Sequence, residues 1–179
     1  MDTTRKTLAA DVAKTVRDVP DFPKPGILFK DITTVLLDGA LYGRLIDHLC
    51  EVVRASGADV VAGIESRGYL FAAPVAARLG LPLALIRKPG KLPWKTRKAS
   101  YSLEYGTDSV EMHEDAVRPG QKVVVMDDLL ATGGTMEAAC RLVRESGAEV
   151  ALAMFVIELT FLDGRKRLDG VPVDALVAY

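Results

Sequence analysis

One stretch of the sequence combines acidic, hydroxyl-bearing and glycine residues in an order that suits a sugar phosphate. It reads VVVMDDLLATGGT from Val123 to Thr135. An apolar run, predicted to be a strand, leads into Asp127 and Asp128 and then into a small-residue turn that opens a helix. Amides at a helix N-terminus bind phosphate with the help of the helix dipole, and ionised carboxylates accept hydrogen bonds from sugar hydroxyls. The loop is not of the Walker A type, because no lysine precedes Thr135.

Two further segments carry cations suited to a pyrophosphate. Arg67 lies in a Ser-Arg-Gly turn after the apolar run 60–64, and its planar guanidinium can hold a pyrophosphate through two parallel hydrogen bonds. Segment 87–98 contains no acid and six cations, namely Arg87, Lys88, Lys91, Lys95, Arg97 and Lys98. Its prolines and glycine deny it regular structure, so it fits a loop that closes over a charged substrate. The pattern leaves a nucleic-acid patch and a solvated linker open as alternatives.

The apolar pattern predicts the framework that positions these residues. Short β-rich runs occur at 60–64, 83–86, 123–126, 150–156 and 173–177. Helices are predicted around Leu8, Val12 and Val16, after an N-cap at Asp38, and over 68–79 and 135–146, where Pro74 predicts a kink or a late start. Alternating apolar and polar residues over 99–106 and 108–114 predict a projecting hairpin. The sequence therefore predicts an α/β fold with a mainly parallel, five-stranded sheet flanked by helices.

Composition and charge narrow the class of protein. The chain has 179 residues, 49% of them hydrophobic and 26% charged, which is typical of one globular domain. A net charge of −1 argues against a globally basic nucleic-acid binder. The N-terminus has no signal-like apolar core and no apolar run is long enough to span a membrane, so we expect a cytoplasmic protein. Cys50 and Cys140 are expected to be reduced thiols. His48 and His113 lack a partner at metal-ligand spacing and are expected to be structural or surface residues.

The motif at 123–135 resembles the phosphoribosyl-pyrophosphate (PRPP) binding motif of the type I phosphoribosyltransferase family. The resemblance extends over nearly the whole chain to the adenine phosphoribosyltransferase branch of that family. It is carried by FPKPGILFKDI at 22–32, GIESRG at 63–68, RKPGKLP at 87–93 and ASYSLEYG at 99–106. The order and spacing of these pieces are specific, whereas each alone is moderate evidence.

The resemblance implies a PRPP site with three parts. Asp127 and Asp128 would hold the ribose hydroxyls. The 5-phosphate would lie on the loop formed by Ala131, Thr132, Gly133, Gly134 and Thr135. The leaving pyrophosphate would contact Arg67, Arg87, Lys88 and Lys91. Mg²⁺ would be carried by PRPP with no direct protein ligand, as suits an ion that keeps several waters.

The resemblance also implies how the base is bound and protonated. Leu28, Phe29 and Lys30 match the adenine-binding segment, whose extended backbone next to prolines would leave amides and carbonyls free to contact the base. Glu104 would be the general acid/base, with Arg67 as a second catalytic residue close to the base. Ala131 stands where enzymes for 6-oxopurines carry an aspartate, and this favours adenine.

The family resemblance further implies an organisation and a reaction. We expect one domain over 1–179, with an N-terminal helix and base-recognition hood in 1–37 and a flexible catalytic loop in 87–107. The implied reaction is purine salvage, in which adenine and PRPP give AMP and pyrophosphate. A homodimer is expected, without nucleic acid or membrane partners. Two alternatives stay open: a non-catalytic regulator that senses PRPP, and an enzyme specific for xanthine or 6-oxopurines.

Overall fold

The computed structural model describes residues 3–102 and 107–179 of the chain. The backbone divides into two compact units, Met1–His48 and Leu49–Tyr179. Across the described ranges, no helix is both long and apolar enough to cross a membrane.

The first unit contains short helices and a two-stranded ribbon. Its elements are α1 (Thr3–Thr15), β1 (Arg17–Pro20), β2 (Leu28–Asp31), α2 (Thr33–Leu37) and the beginning of α3 (Gly39–Ser56). Leu8 and Val12 of α1 are buried, which confirms the apolar stripe read from the sequence. The predicted N-cap is also confirmed, because the carboxylate of Asp38 accepts a hydrogen bond from the amide of Leu41 at 3.0 Å.

Strand β2 contains the three residues expected to bind the base. The expectation that their backbone is free of secondary structure was wrong, because β2 pairs with β1 in antiparallel register, with Phe29 opposite Val19 and Lys30 opposite Asp18. The backbone is nevertheless extended, as the nearby prolines require.

The second unit is built on one mixed sheet. Its elements are β3 (Val60–Ile64), α4 (Tyr69–Leu79), β4 (Leu83–Arg87), β5 (Thr96–Ser102), β6 (Thr107–His113), β7 (Lys122–Leu130), α5 (Gly134–Glu145), β8 (Glu149–Glu158) and β9 (Val173–Ala178), with two 3-10 turns at Thr160–Leu162 and Gly164–Arg167. The strand order is β5-β6-β4-β3-β7-β8-β9. Strands β4, β3, β7, β8 and β9 run parallel. The predicted α/β fold with a mainly parallel sheet is confirmed.

The hairpin of β5 and β6 changes the strand count. The predicted number of five strands corresponds to the parallel set, and the hairpin adds two antiparallel strands at one edge, which gives seven. Strand β6 pairs with β4 through Ile86 opposite Met112 and Arg87 opposite Glu111. The hairpin therefore continues the sheet where it meets β4, a pairing between distant segments that local alternation cannot reveal.

Several elements differ in extent from their predictions. Strand β5 begins at Thr96, so the expectation that all of 87–98 lacks regular structure was wrong. Helix α4 begins at Tyr69 and continues through Pro74, so of the two alternatives, a kink or a late start, the late start was wrong. Strand β7 continues past the predicted run because β8 stays beside it, with Asp127 opposite Phe155 and Leu130 opposite Glu158. Asp127 and Asp128 consequently lie within a strand instead of following one.

The core of the second unit holds β7 and α5 in place. Val123 and Val125 of β7 are fully buried, as are Ala138 and Leu142 of α5, and all four belong to one apolar cluster. Burial of a Val or Leu side chain contributes roughly 1.5–3 kcal/mol. This packing supports the strand-to-helix connection that carries the sugar-phosphate motif.

Candidate active site

The carboxyl ends of two neighbouring parallel strands form a cleft. Strand β3 ends at Ile64, while β7 pairs with it up to Met126 and then continues to Leu130. A cleft of about 260 Å³ opens there, lined by Ile64, Glu65, Ser66, Arg67, Lys88, Asp127, Asp128 and Thr135. Ligands of parallel α/β proteins bind at this end of the sheet. The structure thus brings the predicted cationic turn and the predicted acidic pair together.

The turn that carries Arg67 packs directly on the main chain of both strands. A Cβ atom at Gly68 would lie 2.6 Å from the carbonyl oxygen of Ile64 and 2.6 Å from that of Met126. Because these are backbone atoms, no side-chain movement could relieve the contact. Glycine at this position allows the 65–68 turn to reach β7.

Asp127 and Asp128 form an acidic pair beside that turn, with Asp128 buried and Asp127 partly exposed. The Nε of Arg67 lies 2.7 Å from Oδ2 of Asp128, whose side chain is only 5% exposed, against 42% for the arginine. Burial raises the pKa of Asp128, and the charge of Arg67 partly offsets this rise. Burial, followed by repulsion from Asp128, raises the pKa of Asp127 well above its ordinary value. The pair is therefore poorly stabilised as two anions until donors or positive charge enter the cleft.

The small-residue loop after β7 encloses a second, smaller space. This pocket of about 80 Å³ is lined by Asp127, Leu129, Leu130, Ala131, Thr132, Gly133, Gly134, Thr135, Met136 and Phe155. Gly133 has φ +85°, and a Cβ there would lie 2.4 Å from the carbonyl oxygen of Gly164. Helix α5 begins at Gly134, so amides of its first turn without helical partners border this pocket. Binding of a phosphate by this loop stays a prediction, and the position of the loop at the start of α5 is compatible with it.

Glu65 organises the cations on the other side of the cleft. Arg87 donates to its carboxylate from Nη2 at 3.1 Å and from Nε at 3.3 Å, and the Nζ of Lys91 lies 3.8 Å away. The hydrogen bond from Arg87 is the main reason that the pKa of Glu65 is lowered. Of the predicted pyrophosphate ligands, Arg67 and Lys88 therefore line the cleft, whereas Arg87 and Lys91 are held by Glu65.

Sequence reasoning missed Glu65 as a site residue. Glu65 lies between a buried strand and the Ser-Arg-Gly turn, and this position was the available signal. It belongs to the GIESRG segment of the family resemblance, but no role was predicted for it. An acid in a cationic region suggests an ion pair, yet its partner Arg87 is 22 positions away in sequence. Only the pairing of β3 with β4 brings the two side chains together.

The chain closely resembles known proteins in sequence and in structure. Residues 34–175 match the phosphoribosyl transferase domain. Adenine phosphoribosyltransferase of Desulfitobacterium hafniense is 53% identical over 171 residues, which cover 96% of this chain and 99% of that protein. The chain belongs to the adenine phosphoribosyltransferase family. The fold and the family expected from the sequence are thereby confirmed.

Solved structures of adenine phosphoribosyltransferases have the same fold. The enzyme from Thermoanaerobacter pseudethanolicus matches with a TM-score of 0.93 and 49% identity, over 96% of this chain and 99% of that one. The enzyme from Saccharomyces cerevisiae, complexed with an imino-altritol bisphosphate and adenine, matches with a TM-score of 0.90 and 38% identity, over 96% of this chain and 99% of that one.

The residues expected to bind adenine lie in the first unit. Leu28 is half exposed. The ring of Phe29 contacts that of Phe22 edge to face, with centroids 5.1 Å apart, and Lys30 donates to Asp18 at 2.6 Å. Glu104, the general acid/base expected of an adenine phosphoribosyltransferase, lies outside the described residues.

Proposed function

We propose that this chain transfers the 5-phosphoribosyl group from PRPP to adenine, giving AMP and pyrophosphate, in the cleft between β3 and β7. The observation that carries the proposal is the acidic pair of β7, which has an amide-rich helix start on one side and a cationic turn on the other. PRPP presents its 5-phosphate, its ribose hydroxyls and its pyrophosphate in the order of the helix start, the acidic pair and the cationic turn. The activity is that of the chain's family, and its biological role is purine salvage.

The ribose is assigned to Asp127 and Asp128. Their carboxylates accept hydrogen bonds from two adjacent hydroxyls, and hydroxyl donors favour the ionised form that burial disfavours. The transition state has oxocarbenium character, by resemblance to the family. Positive charge that develops near the anomeric carbon is therefore stabilised by the same two carboxylates, which are already in place before reaction.

The two phosphate groups are assigned to opposite sides of the acidic pair. Residues 131–135 bind the 5-phosphate through the amides at the start of α5, and the hydroxyl of Thr132 adds a further donor. Arg67 and Lys88, which line the cleft, bind the leaving pyrophosphate. Arg87 and Lys91 supplement them once Glu65 shares these cations with the substrate.

Magnesium fits this site as an ion carried by the substrate. Among residues 3–102 and 107–179, no group of three or more His, Cys, Asp or Glu side chains is arranged to hold a metal. Mg²⁺ keeps several waters and readily takes phosphate oxygens, so the pyrophosphate and the sugar hydroxyls of PRPP suit it without a direct protein ligand. When bound, the ion would neutralise charge on the leaving pyrophosphate.

Adenine is assigned to the strand β2 segment and to Glu104. The extended main chain of Leu28 and Lys30 is assigned to the edge of the base, and Phe29 offers an aromatic face for stacking. Glu104 exchanges a proton with the imidazole edge of the base. Ala131 cannot accept a proton, so an enzyme with alanine there must use another residue for this step. The protein from S. cerevisiae whose structure contains adenine has the same fold over 96% of this chain.

The assembly and location follow the family resemblance. We propose a homodimer with 1–37 acting as the base-recognition hood and 87–107 as the catalytic loop. Location in the cytoplasm stays a prediction.

A radiolabelled base assay tests the proposed reaction. Purified protein, PRPP and Mg²⁺ are incubated with adenine, hypoxanthine, guanine or xanthine, and nucleotide products are separated. We expect AMP as the main product and little product from the other bases. A protein that binds PRPP but forms no nucleotide would be the regulator considered above, and IMP, GMP or XMP as the main product would refute adenine specificity.

A further inference from the structure

The hydroxyl of Tyr101 joins three elements beside the proposed PRPP site. It accepts a hydrogen bond from the Nζ of Lys88 at 3.0 Å and another from the Oγ1 of Thr135 at 3.1 Å. It donates to the Oδ2 of Asp108, also at 3.0 Å. A phenol has one donor and two acceptor positions, so all three are used. Asp108 also pairs directly with the ammonium of Lys88.

These four residues differ in their relation to the cleft. Lys88 and Thr135 line it, on the pyrophosphate side and at the start of α5 respectively. Tyr101 and Asp108 lie behind them on the hairpin strands β5 and β6, where the two residues are opposite each other in register. Through Tyr101 and Asp108 the hairpin therefore contacts two predicted PRPP ligands, and neither of these two residues is among those that line the cleft.

Packing holds the Tyr101 ring in this position. Its residue is only 7% exposed, and the Nζ of Lys88 lies 5.6 Å from the ring centroid. On the other side, a Cβ at Gly134 would lie 3.1 Å from Cδ2 of the ring, so glycine lets the ring lie close to the start of α5. Arg141 of α5 donates to the carbonyl oxygen of Ser100, next to Tyr101. The ring thus has little freedom to move away from either partner.

We propose that Tyr101 and Asp108 are positioning residues for PRPP, which hold the Lys88 ammonium and the Thr135 side chain, and with it the start of α5, in place at the two phosphate-binding parts of the cleft. An ammonium has three N–H donors. Two are directed to Tyr101 and Asp108, which leaves one for an anion in the cleft. Burial alone would lower the pKa of Lys88, but the hydrogen bonds to Asp108 and Tyr101 outweigh it, so the net pKa is raised and the side chain stays charged.

This inference rests on the proposed function, because it assigns a role only if PRPP occupies the cleft. Its first test is Tyr101→Phe, which keeps the ring and removes the hydroxyl. We expect KM for PRPP to rise about five- to tenfold, within the usual range of one ordinary net hydrogen bond, with KM for adenine and kcat within twofold of wild type. Calorimetric titration with PRPP and Mg²⁺ should show a matching loss of affinity. The control is Tyr179→Phe, which makes the same change at the residue that follows β9, the strand at the opposite edge of the sheet.

Asp108→Asn tests the second positioning residue. It removes the charge that anchors Lys88, and we again expect KM for PRPP to rise while KM for adenine is unchanged. The control is Asp115→Asn, an exposed acid that follows the same hairpin. A fall in KM for PRPP on Asp108→Asn would overturn the proposal, since it would mean that Asp108 competes with the substrate for Lys88.

Combined variants decide whether Tyr101 acts through its partners. Tyr101→Phe is added to a Lys88→Ala, Thr135→Val background, where we expect its effect on KM for PRPP to fall below twofold. A full effect of Tyr101→Phe in that background would overturn the proposal. A lower melting temperature together with equal changes in the KM for PRPP and the KM for adenine would also overturn it, because that result indicates a role in packing alone. If the wild type forms AMP and Tyr101→Phe leaves the KM for PRPP unchanged, this inference alone is refuted. Absence of AMP from the wild type refutes the proposed reaction and this inference with it.

Discussion

The Nε of Arg67 lies 2.7 Å from the Oδ2 of Asp128, so an ion pair joins the turn after β3 to the acidic pair of β7. One member is partly exposed in the cleft and the other is buried. Such a pair can hold the guanidinium in position for an anionic ligand, and the positive charge of Arg67 partly offsets the rise in the pKa of Asp128 that burial causes. The relationship connects the proposed pyrophosphate and ribose sites before substrate is present.

Asp128→Asn tests the ribose assignment. The amide keeps the shape but loses the negative charge that accepts from a sugar hydroxyl and from Arg67. We expect kcat/KM for PRPP to fall about 10- to 100-fold, the value of a charged hydrogen bond, as measured by initial rates. Asp169→Asn, at an exposed acid outside the cleft, is the control. A fall of less than threefold would contradict the assignment.

Asp127→Asn should stabilise the folded protein while reducing activity. Because the pKa of Asp127 is raised on folding, mainly by burial and then by Asp128, ionising it costs stability as pH rises from the unfolded value of 3.8 through the folded value. The asparagine variant avoids this cost. We expect its free energy of unfolding in urea to exceed that of wild type at pH 7, and the difference to shrink as pH approaches 3.8. A less stable variant at pH 7 would refute the prediction.

Glu65→Gln should show the opposite dependence on pH. Its pKa is lowered in the folded state, chiefly by the hydrogen bond from Arg87. Its contribution to stability is therefore present above the unfolded pKa of 4.5 and is lost as pH falls through the folded value. We expect the variant to be less stable than wild type at pH 7 and the gap to close in acid, by urea unfolding at several pH values. The matched control is Glu114→Gln, the same substitution at an exposed glutamate. A gap that widens in acid would show that Arg87 does not determine this titration.

Gly68→Ala should disrupt the cleft, whereas Gly43→Ala should not. The added methyl at 68 would lie 2.6 Å from two carbonyl oxygens of the backbone, and we expect a loss of about 3 kcal/mol, the upper end for overpacking, together with a rise in KM for PRPP. At Gly43, inside α3, no atom lies within 4 Å, and alanine should stabilise the helix by about 1 kcal/mol. Thermal unfolding and initial rates measure both. Equal stability of the two variants would contradict the close approach at Gly68.

Glu104→Gln tests the proton transfer to adenine. General acid–base groups usually contribute about 10²–10⁴-fold to rate, so we expect kcat to fall in that range while calorimetric affinity for PRPP changes little. Glu111→Gln, on the neighbouring strand β6, is the control. A fall of less than tenfold in kcat would show that another group moves the proton.

Local patterns were sufficient for most of the framework. The five parallel strands follow from runs of apolar residues, because most side chains in the middle of a parallel sheet are covered on both faces. The N-cap at Asp38 and the start of α5 after Gly133 follow from short-range chemistry, in which a side chain or a glycine satisfies the end of a helix. These features depend on neighbours in sequence and can be read from it.

The contacts that complete the site depend on distant segments. The pairing of Glu65 with Arg87 requires β3 beside β4, and the position of Tyr101 requires the hairpin to meet both β4 and α5. The hairpin was predicted, but its edge pairing with β4 was not. Register between strands is decided by packing of whole faces, and no local spacing encodes it.

The amino-acid sequence by itself determined the family, the parallel α/β architecture and the set of acidic, cationic and small residues available for binding PRPP. The tertiary structure decided which of them share a cleft, that Asp128 is buried beside Asp127, and that Glu65, Asp108 and Tyr101 hold the cations. The physical reason is that residue type sets what a group can bind, whereas burial and charge–charge distances arise only when strands distant in sequence are packed side by side.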